Sequence, residues 1–214
     1  MARPLLIVGG APQVEVDAVR YLVARASGGT AAALTSRLAD LTPDLLLGAA
    51  CLPGVPARRY LTREELDRCI REWVTAHGEG VVVLSAAVND YRVAGVRRRV
   101  GEVWHEHEPD DKVPSGADEL QIRLLPAPKL VDAMRNEWGH RGPLVAFKFE
   151  QAGTVVASAR ALMARVRADL VVANSLCGRL QALLRRDNTV DRYDDRDALM
   201  VALAEAVRGL AFSG

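Results

Sequence analysis

Asp90 stands at the polar end of an apolar run, Val81 to Tyr91, whose sequence is VVVLSAAVNDY. Three valines and a leucine read as a strand buried on both faces, and Ser85, Ala86 and Ala87 leave room for a ligand to approach the backbone at its end. Ligands of open α/β sheets bind outside the carboxyl ends of the strands, which makes a carboxylate there a site candidate, with a plain turn at Asn89 and Asp90 as the alternative. Pro4 to Val8 is a second short strand, and Gly9 and Gly10 behind it allow a tight turn or a close approach to a phosphate. Ala26 to Thr30 is a small-residue patch before the helical pattern Ala31 to Asp40, where free backbone N–H groups hold an anion or a cap simply closes the helix. Asn174 ends another buried strand, Asp169 to Asn174. His105 and His107 share one strand face, a possible metal pair, but no third ligand has metal-site spacing and a surface strand is the plainer reading. There is no GxGxxG fingerprint.

The elements that must position these residues alternate. Asp44 to Cys51 reads as a strand and Leu52 to Tyr60 as a loop. Thr62 to Glu65 is a capping box opening a helix to about Ala76, with Leu66, Cys69, Ile70 and Trp73 on one face. Strand, helix, strand, helix, strand argues for a parallel sheet with helices on both faces. Tyr91 to Pro128 breaks the rhythm: Val103 to His107 and Glu119 to Leu125 alternate around an acidic turn, Glu108 to Asp111, as an antiparallel hairpin arm over 92–127 suited to dimerisation or to a lid. The rhythm resumes with helices at Lys129 to Trp138 and Val155 to Arg167 and a strand at Leu144 to Phe149. A hairpin turning at Asp187 and Asn188 and a closing helix, Asp197 to Leu210, complete the chain.

The 214 residues suit one domain, 1–214, with that arm. A balance of 28 basic against 27 acidic residues leaves no surplus to attract nucleic acid. The longest apolar runs fall far short of the ~20 residues of a membrane helix, and residues 1–4 lead straight into a strand, so a soluble cytoplasmic protein with no membrane partner is expected. Cys51, Cys69 and Cys177 are widely spaced and expected to be free, mostly buried thiols.

Taken together, these motifs resemble the phosphopantothenoylcysteine synthetases, ligases of coenzyme A synthesis. The resemblance runs through Gly9-Gly10-Ala11, Asp17-Ala18-Val19-Arg20, Ala24 to Gly28, Ala86-Ala87-Val88-Asn89-Asp90-Tyr91, Lys112-Val113, Ala146 to Glu150 and Ala173-Asn174-Ser175. It implies a Rossmann-like, mainly parallel α/β sheet with flanking helices and a homodimer in which the arm crosses to the other subunit. It also implies activation of a small carboxylate by CTP or ATP, with Mg²⁺ on the phosphates, and attack by a small amine such as cysteine. Carried over residue by residue, Gly9, Gly10, Ser27 and Gly28 form the phosphate cradle, and Ala86, Ala87 and Asp90 the nucleotide pocket. Phe147 and Asn174 line the base, and Lys112 and Arg20 are the catalytic cations.

The departures are as informative. Ala24 stands where the family has an asparagine, Ala11 where it has a threonine and Ser175 where it has an aspartate. An alanine methyl donates no hydrogen bond. Arg25 or Arg165 is a candidate to supply compensating charge. An active ligase is the first reading, a nucleotide-binding homologue acting as a regulatory or partner-binding subunit the second, and a Rossmann-like enzyme of another reaction type the third.

Overall fold

The structure, a computed structural model, describes residues 1–108 and 110–213, so Pro109 of the acidic turn lies outside it. In chain order it consists of β1 (Leu5–Gly9), β2 (Gln13–Asp17), β3 (Arg20–Val23), α1 (Gly29–Arg37), β4 (Asp44–Gly48), β5 (Arg58–Tyr60), α2 (Arg63–Ala76), β6 (Val81–Leu84) and β7 (Tyr91–Val100). There follow β8 (Val103–His107), β9 (Glu119–Pro126), α3 (Leu130–Asn136), β10 (Leu144–Glu150), α4 (Val155–Val166), β11 (Leu170–Ser175), β12 (Gln181–Arg185), β13 (Val190–Tyr193) and α5 (Arg196–Phe212).

Eight strands form the main sheet in the order β13-β12-β11-β10-β6-β1-β4-β5. The six from β11 to β5 run parallel, and β12 and β13 add an antiparallel edge. Side chains alternate across the sheet, so each strand feeds two cores. Leu6, Val8, Val82, Leu84, Val171 and Leu184 face α2, α3 and α4, while Leu5, Ile7, Val81, Val83, Val172 and Leu183 face α1 and α5. This is the Rossmann-like α/β sheet that the alternating pattern implies, with helices on both faces.

Three differences have physical causes. Arg58–Tyr60 is an edge strand beside β4 rather than loop, because Tyr60 buries its ring and donates its hydroxyl to the Gly9 carbonyl at 2.8 Å. Gln13–Val23 is a hairpin, β2 and β3, in which a polar strand pairs locally before α1. The arm has three strands in the order β8-β7-β9, since the ten-residue β7 is long enough to pair on both edges. A small third core of Val16, Val96 and Val113 glues that arm to the hairpin. The Thr62 capping box forms as read, and Cys51 and Cys69 are buried free thiols while Cys177 is exposed. Among the described residues, no helix is long and apolar enough to cross a membrane.

Below the sheet, at the amino ends of β6 and β10, a nearly buried Arg135 donates to the carbonyls of Val166, His140, Gly142 and Arg167. It also donates to Nδ1 of His140, whose Nε2–H in turn reaches the Gly80 carbonyl at 3.0 Å. Burial pushes this imidazole below its ordinary 6.5; the Gly80 hydrogen bond opposes that, and the Arg135 charge adds to it. The folded chain therefore keeps His140 neutral where the unfolded chain protonates it, and stability falls as pH drops below the ordinary histidine value. Urea midpoints should decline from about pH 7 to 5 in the wild type and less steeply in His140→Gln; equal slopes would contradict this assignment.

Candidate functional site

The parallel strands run in the spatial order β11-β10-β6-β1-β4-β5, so the chain leaves β1 to one side and returns through β6 on the other. A crevice opens at such a reversal, outside the carboxyl ends of the two strands. Here it lies between Gly10 and Ser85 to Ala87. The Ser85 amide and hydroxyl both donate to the Val8 carbonyl, at 2.9 and 2.7 Å, and the Ala87 amide donates to the Gly10 carbonyl at 2.8 Å. These bonds extend the β1–β6 pairing into the mouth of the crevice.

One wall is the start of α1. A Cβ on Gly9 would stand 2.4 Å from the Ala31 Cβ, so only glycine lets α1 sit this close to β1. Gly10, at φ 87°, faces the Cys51 sulfur and the Gly48 backbone, and Gly28, at φ 76°, caps α1 in the left-handed region. The N-cap residue Gly28 offers no side-chain hydrogen bond; Ser27 Oγ accepts from the first amide of the helix, Gly29, at 3.2 Å, which leaves the amides of Thr30 and Ala31. These N–H groups and the positive end of the helix dipole therefore point at the crevice, an arrangement that favours an anion.

The resulting cleft has a volume of ≈ 520 Å³. It brings together Gly10, Ser27, Gly28, Ala86, Ala87, Phe147 and Asn174, all candidates from the sequence. Arg25, Lys148 and Arg196 add positive charge, and among the described residues no acidic side chain lines it. Lys148 is held by Glu150 at 2.7 Å, and Arg196 donates to the Thr30 hydroxyl. At the far end, Asn174 and Gln181 are cross-strand partners whose side-chain oxygens are buried without a hydrogen-bond partner. These two unpaired acceptors share the cleft with Phe147 and suit the polar edge of a ring stacked there.

The other candidates lie elsewhere. Gly9 acts through its contact with Ala31. Asp90 is about 60% exposed at the root of the arm, with its carboxylate 3.9 Å from Lys129 and its carbonyl bonded to the Ala127 amide. Arg165 is on α4, paired with Asp132 of α3, and does not line the cleft. Arg20 and Lys112 are also outside it, but the structure gathers them at one point. The fully buried Asp17 carboxylate accepts from the amides of Val19 at 2.9 Å, Arg20 at 2.7 Å and Val113 at 3.0 Å, and from the Arg20 guanidinium. Burial alone would raise this carboxyl, but those donors outweigh it and hold it at about 2. The Asp111 carbonyl takes the Ala18 amide at 3.2 Å, so the backbone on both sides of exposed Lys112 is fastened to the hairpin turn that carries Arg20. His107 Nε2 lies 2.8 Å from that same carbonyl. Among the described residues no cluster of three metal-ligating side chains occurs.

Sequence reasoning missed Lys148, Arg196 and Gln181. Arg196 left a signal: a cation in the first turn opposes the helix dipole and so invites a functional explanation. Gln181 left none, because its meaning depends on strand register.

Sheet order, crevice and helix start define an open α/β protein with a cation-lined cleft at its topological switch point. The chain belongs to the DNA/pantothenate metabolism flavoprotein C-terminal domain family, whose model matches residues 2–205. It is 30% identical over 179 residues to the coenzyme A biosynthesis bifunctional protein CoaBC of Thermococcus kodakarensis; the match takes in 80% of this chain and 41% of that relative's length. Its fold is similar to the DNA/pantothenate metabolism flavoprotein of Streptococcus pneumoniae, with TM-score 0.79 and 19% identity over 97% of this chain and 99% of that one. It is also similar to a Cab2 mutant in complex with phosphopantothenate-cysteine, with TM-score 0.74 and 14% identity over 97% and 85%. The resemblance to the phosphopantothenoylcysteine synthetases is thus borne out at the level of family and fold.

The contact of Gly9 with Ala31 yields a direct test. Gly9→Ala should destabilise the chain by about 1–3 kcal/mol in denaturant melts and displace the start of α1. Gly54→Ala, whose added methyl meets nothing within 4 Å, should stay within about 0.5 kcal/mol. Equal effects would show that α1 does not depend on this contact.

Proposed function

We propose that this chain is a nucleotide-dependent ligase of the phosphopantothenoylcysteine synthetase type, which activates a carboxylate with CTP or ATP and passes the acyl group to an amine such as cysteine. The observation that carries this reading is the cleft in which Gly10, Ser27, Gly28, Ala86, Ala87, Phe147 and Asn174 meet beside three cations. The triphosphate lies against the start of α1, with Arg25, Lys148 and Arg196 near its charge. The base stacks by Phe147 and pairs with the amides of Asn174 and Gln181. A carboxylate oxygen of the acid attacks the α-phosphorus as the bond to pyrophosphate breaks; the amine then attacks the acyl carbon, and the nucleoside monophosphate leaves. Because the cleft offers no carboxylate among the described residues, Mg²⁺ enters as part of the nucleotide substrate, held by phosphate oxygens and water.

Arg20 and Lys112 sit outside their own chain's cleft. In the homodimer implied by the family resemblance, the arm brings Lys112 and the hairpin fastened to it brings Arg20 to the cleft of the other subunit, with Asp17 tying hairpin to arm. A second reading is favoured by Ala24: with no amide there to hold an acyl intermediate, the chain binds nucleotide without ligating and serves as a partner-binding subunit.

Pyrophosphate release with phosphopantothenate, cysteine and either CTP or ATP separates the two readings. Turnover is expected, together with a dimer in sedimentation at micromolar protein. Lys112→Ala should lower kcat at least about 10²-fold with nucleotide affinity little changed. Nucleotide binding without pyrophosphate release from any acid would establish the second reading instead.

A further inference from the structure

Strand β10 ends with two phenylalanines on one face, and the fold treats them differently. Phe147 is half buried, packed against the core cluster that α1 and α5 cover. Phe149, two residues on and therefore on the same side of the sheet, is 63% exposed and lines the nucleotide cleft. An open phenyl face inside a cleft is a surface for a second flat ring.

Strand register places polar partners beside it. Phe149 pairs with Asn174, Asn174 with Gln181 and Gln181 with Tyr193, one row across β10, β11, β12 and β13. Residues opposite one another in a sheet point to the same face, so these side chains stand together at the carboxyl edge. Asn174 Oδ1 and Gln181 Oε1 are each buried without a hydrogen-bond partner, and both residues line the cleft with Phe149. At the other end of the row Tyr193 packs against the α1 and α5 cluster. The turn between β11 and β12 fixes the row. There the Gly178 amide donates to the Ser175 carbonyl, the Ser175 amide to the Leu180 carbonyl and the Leu180 amide to the Ser175 hydroxyl, each at 2.9 Å.

We propose that Phe149 is the platform on which the nucleotide base stacks, that Asn174 and Gln181 accept from its exocyclic amine, and that the nucleotide is therefore ATP. The proposal rests on the ligase reading and chooses between the two nucleotides which that reading allows. Adenine and cytosine both carry an amine that unpaired acceptors can take, whereas guanine and uracil present a carbonyl at the matching ring position and set acceptor against acceptor. Between the two amino bases, the fused rings of adenine cover more of an open phenyl face than the single ring of cytosine, and stacking strengthens with that overlap.

Calorimetric titration of the intact chain, with no acid or amine present, tests this. The Mg²⁺ complexes of ATP, CTP, GTP and UTP are titrated in turn, with inorganic tripolyphosphate as the probe for the phosphate end alone. We expect ATP to bind about tenfold more tightly than either CTP or GTP, and CTP more tightly than UTP. Phe149→Ala should weaken ATP by at least about fivefold, narrow its lead over CTP and leave tripolyphosphate within about twofold, whereas Phe149→Trp should keep the wild-type order. Gln181→Met, which keeps the shape and removes the acceptor, should narrow the lead of ATP over GTP. CTP binding as tightly as ATP, or an ATP affinity indifferent to Phe149→Ala, would overturn the proposal and leave the ligase reading standing. No binding of any nucleotide at millimolar concentration would overturn the ligase reading itself. Should Phe149→Ala reduce the sedimentation coefficient and not the ATP affinity, the ring serves contact between two copies of the chain and the proposal falls.

Discussion

The contact between Gly9 and Ala31 is the constraint on which the rest of the site depends. Because a Cβ at Gly9 would stand 2.4 Å from that of Ala31, α1 can lie against the end of β1 only while residue 9 is glycine. That approach sets the left-handed cap at Gly28, aims the helix start at the crevice and presses Gly10 against Cys51 and Gly48. The Tyr60 hydroxyl fixes the Gly9 carbonyl from the opposite side. A cavity methyl or a lost hydrogen bond elsewhere in the core would cost stability; a methyl at residue 9 would remove the geometry that makes the cleft a cleft.

A second centre of organisation is Asp17. Its buried carboxylate joins a hairpin near the start of the chain to a segment 96 residues later, and so fastens the backbone beside Lys112 to the turn that carries Arg20. Cradle and cations are thus built by separate pieces of the fold, and neither is complete as an active site. On the proposed reading a second copy of the chain unites them, which gives the arm a catalytic reason to exist as well as a structural one.

Much of the cradle was legible in the sequence because it depends on local chemistry. Two adjacent glycines after an apolar strand, a glycine pair before a helix and small residues closing Val81–Leu84 each state their purpose within a few positions. What depends on partners was not legible. Asp90 looks like a site carboxylate at a strand end, but the arm that begins one residue later turns it toward Lys129. Arg165 is spent on Asp132, a contact set by how α3 and α4 cross. The edge strand Arg58–Tyr60 was hidden by its prolines and arginines, since the burial of Tyr60 against β1 is a tertiary fact. Gln181 joins Asn174 only through the antiparallel register of β11 and β12.

On the proposed reading, a nucleoside triphosphate sits at the switch point between β1 and β6, its phosphates on the start of α1. Amide hydrogen exchange with and without CTP or ATP and Mg²⁺ is the test. Slowed exchange is expected in residues 9–11, 27–31, 85–87 and 174–175. Protection confined to the cleft at the start of α2, or none at any nucleotide concentration, would contradict it.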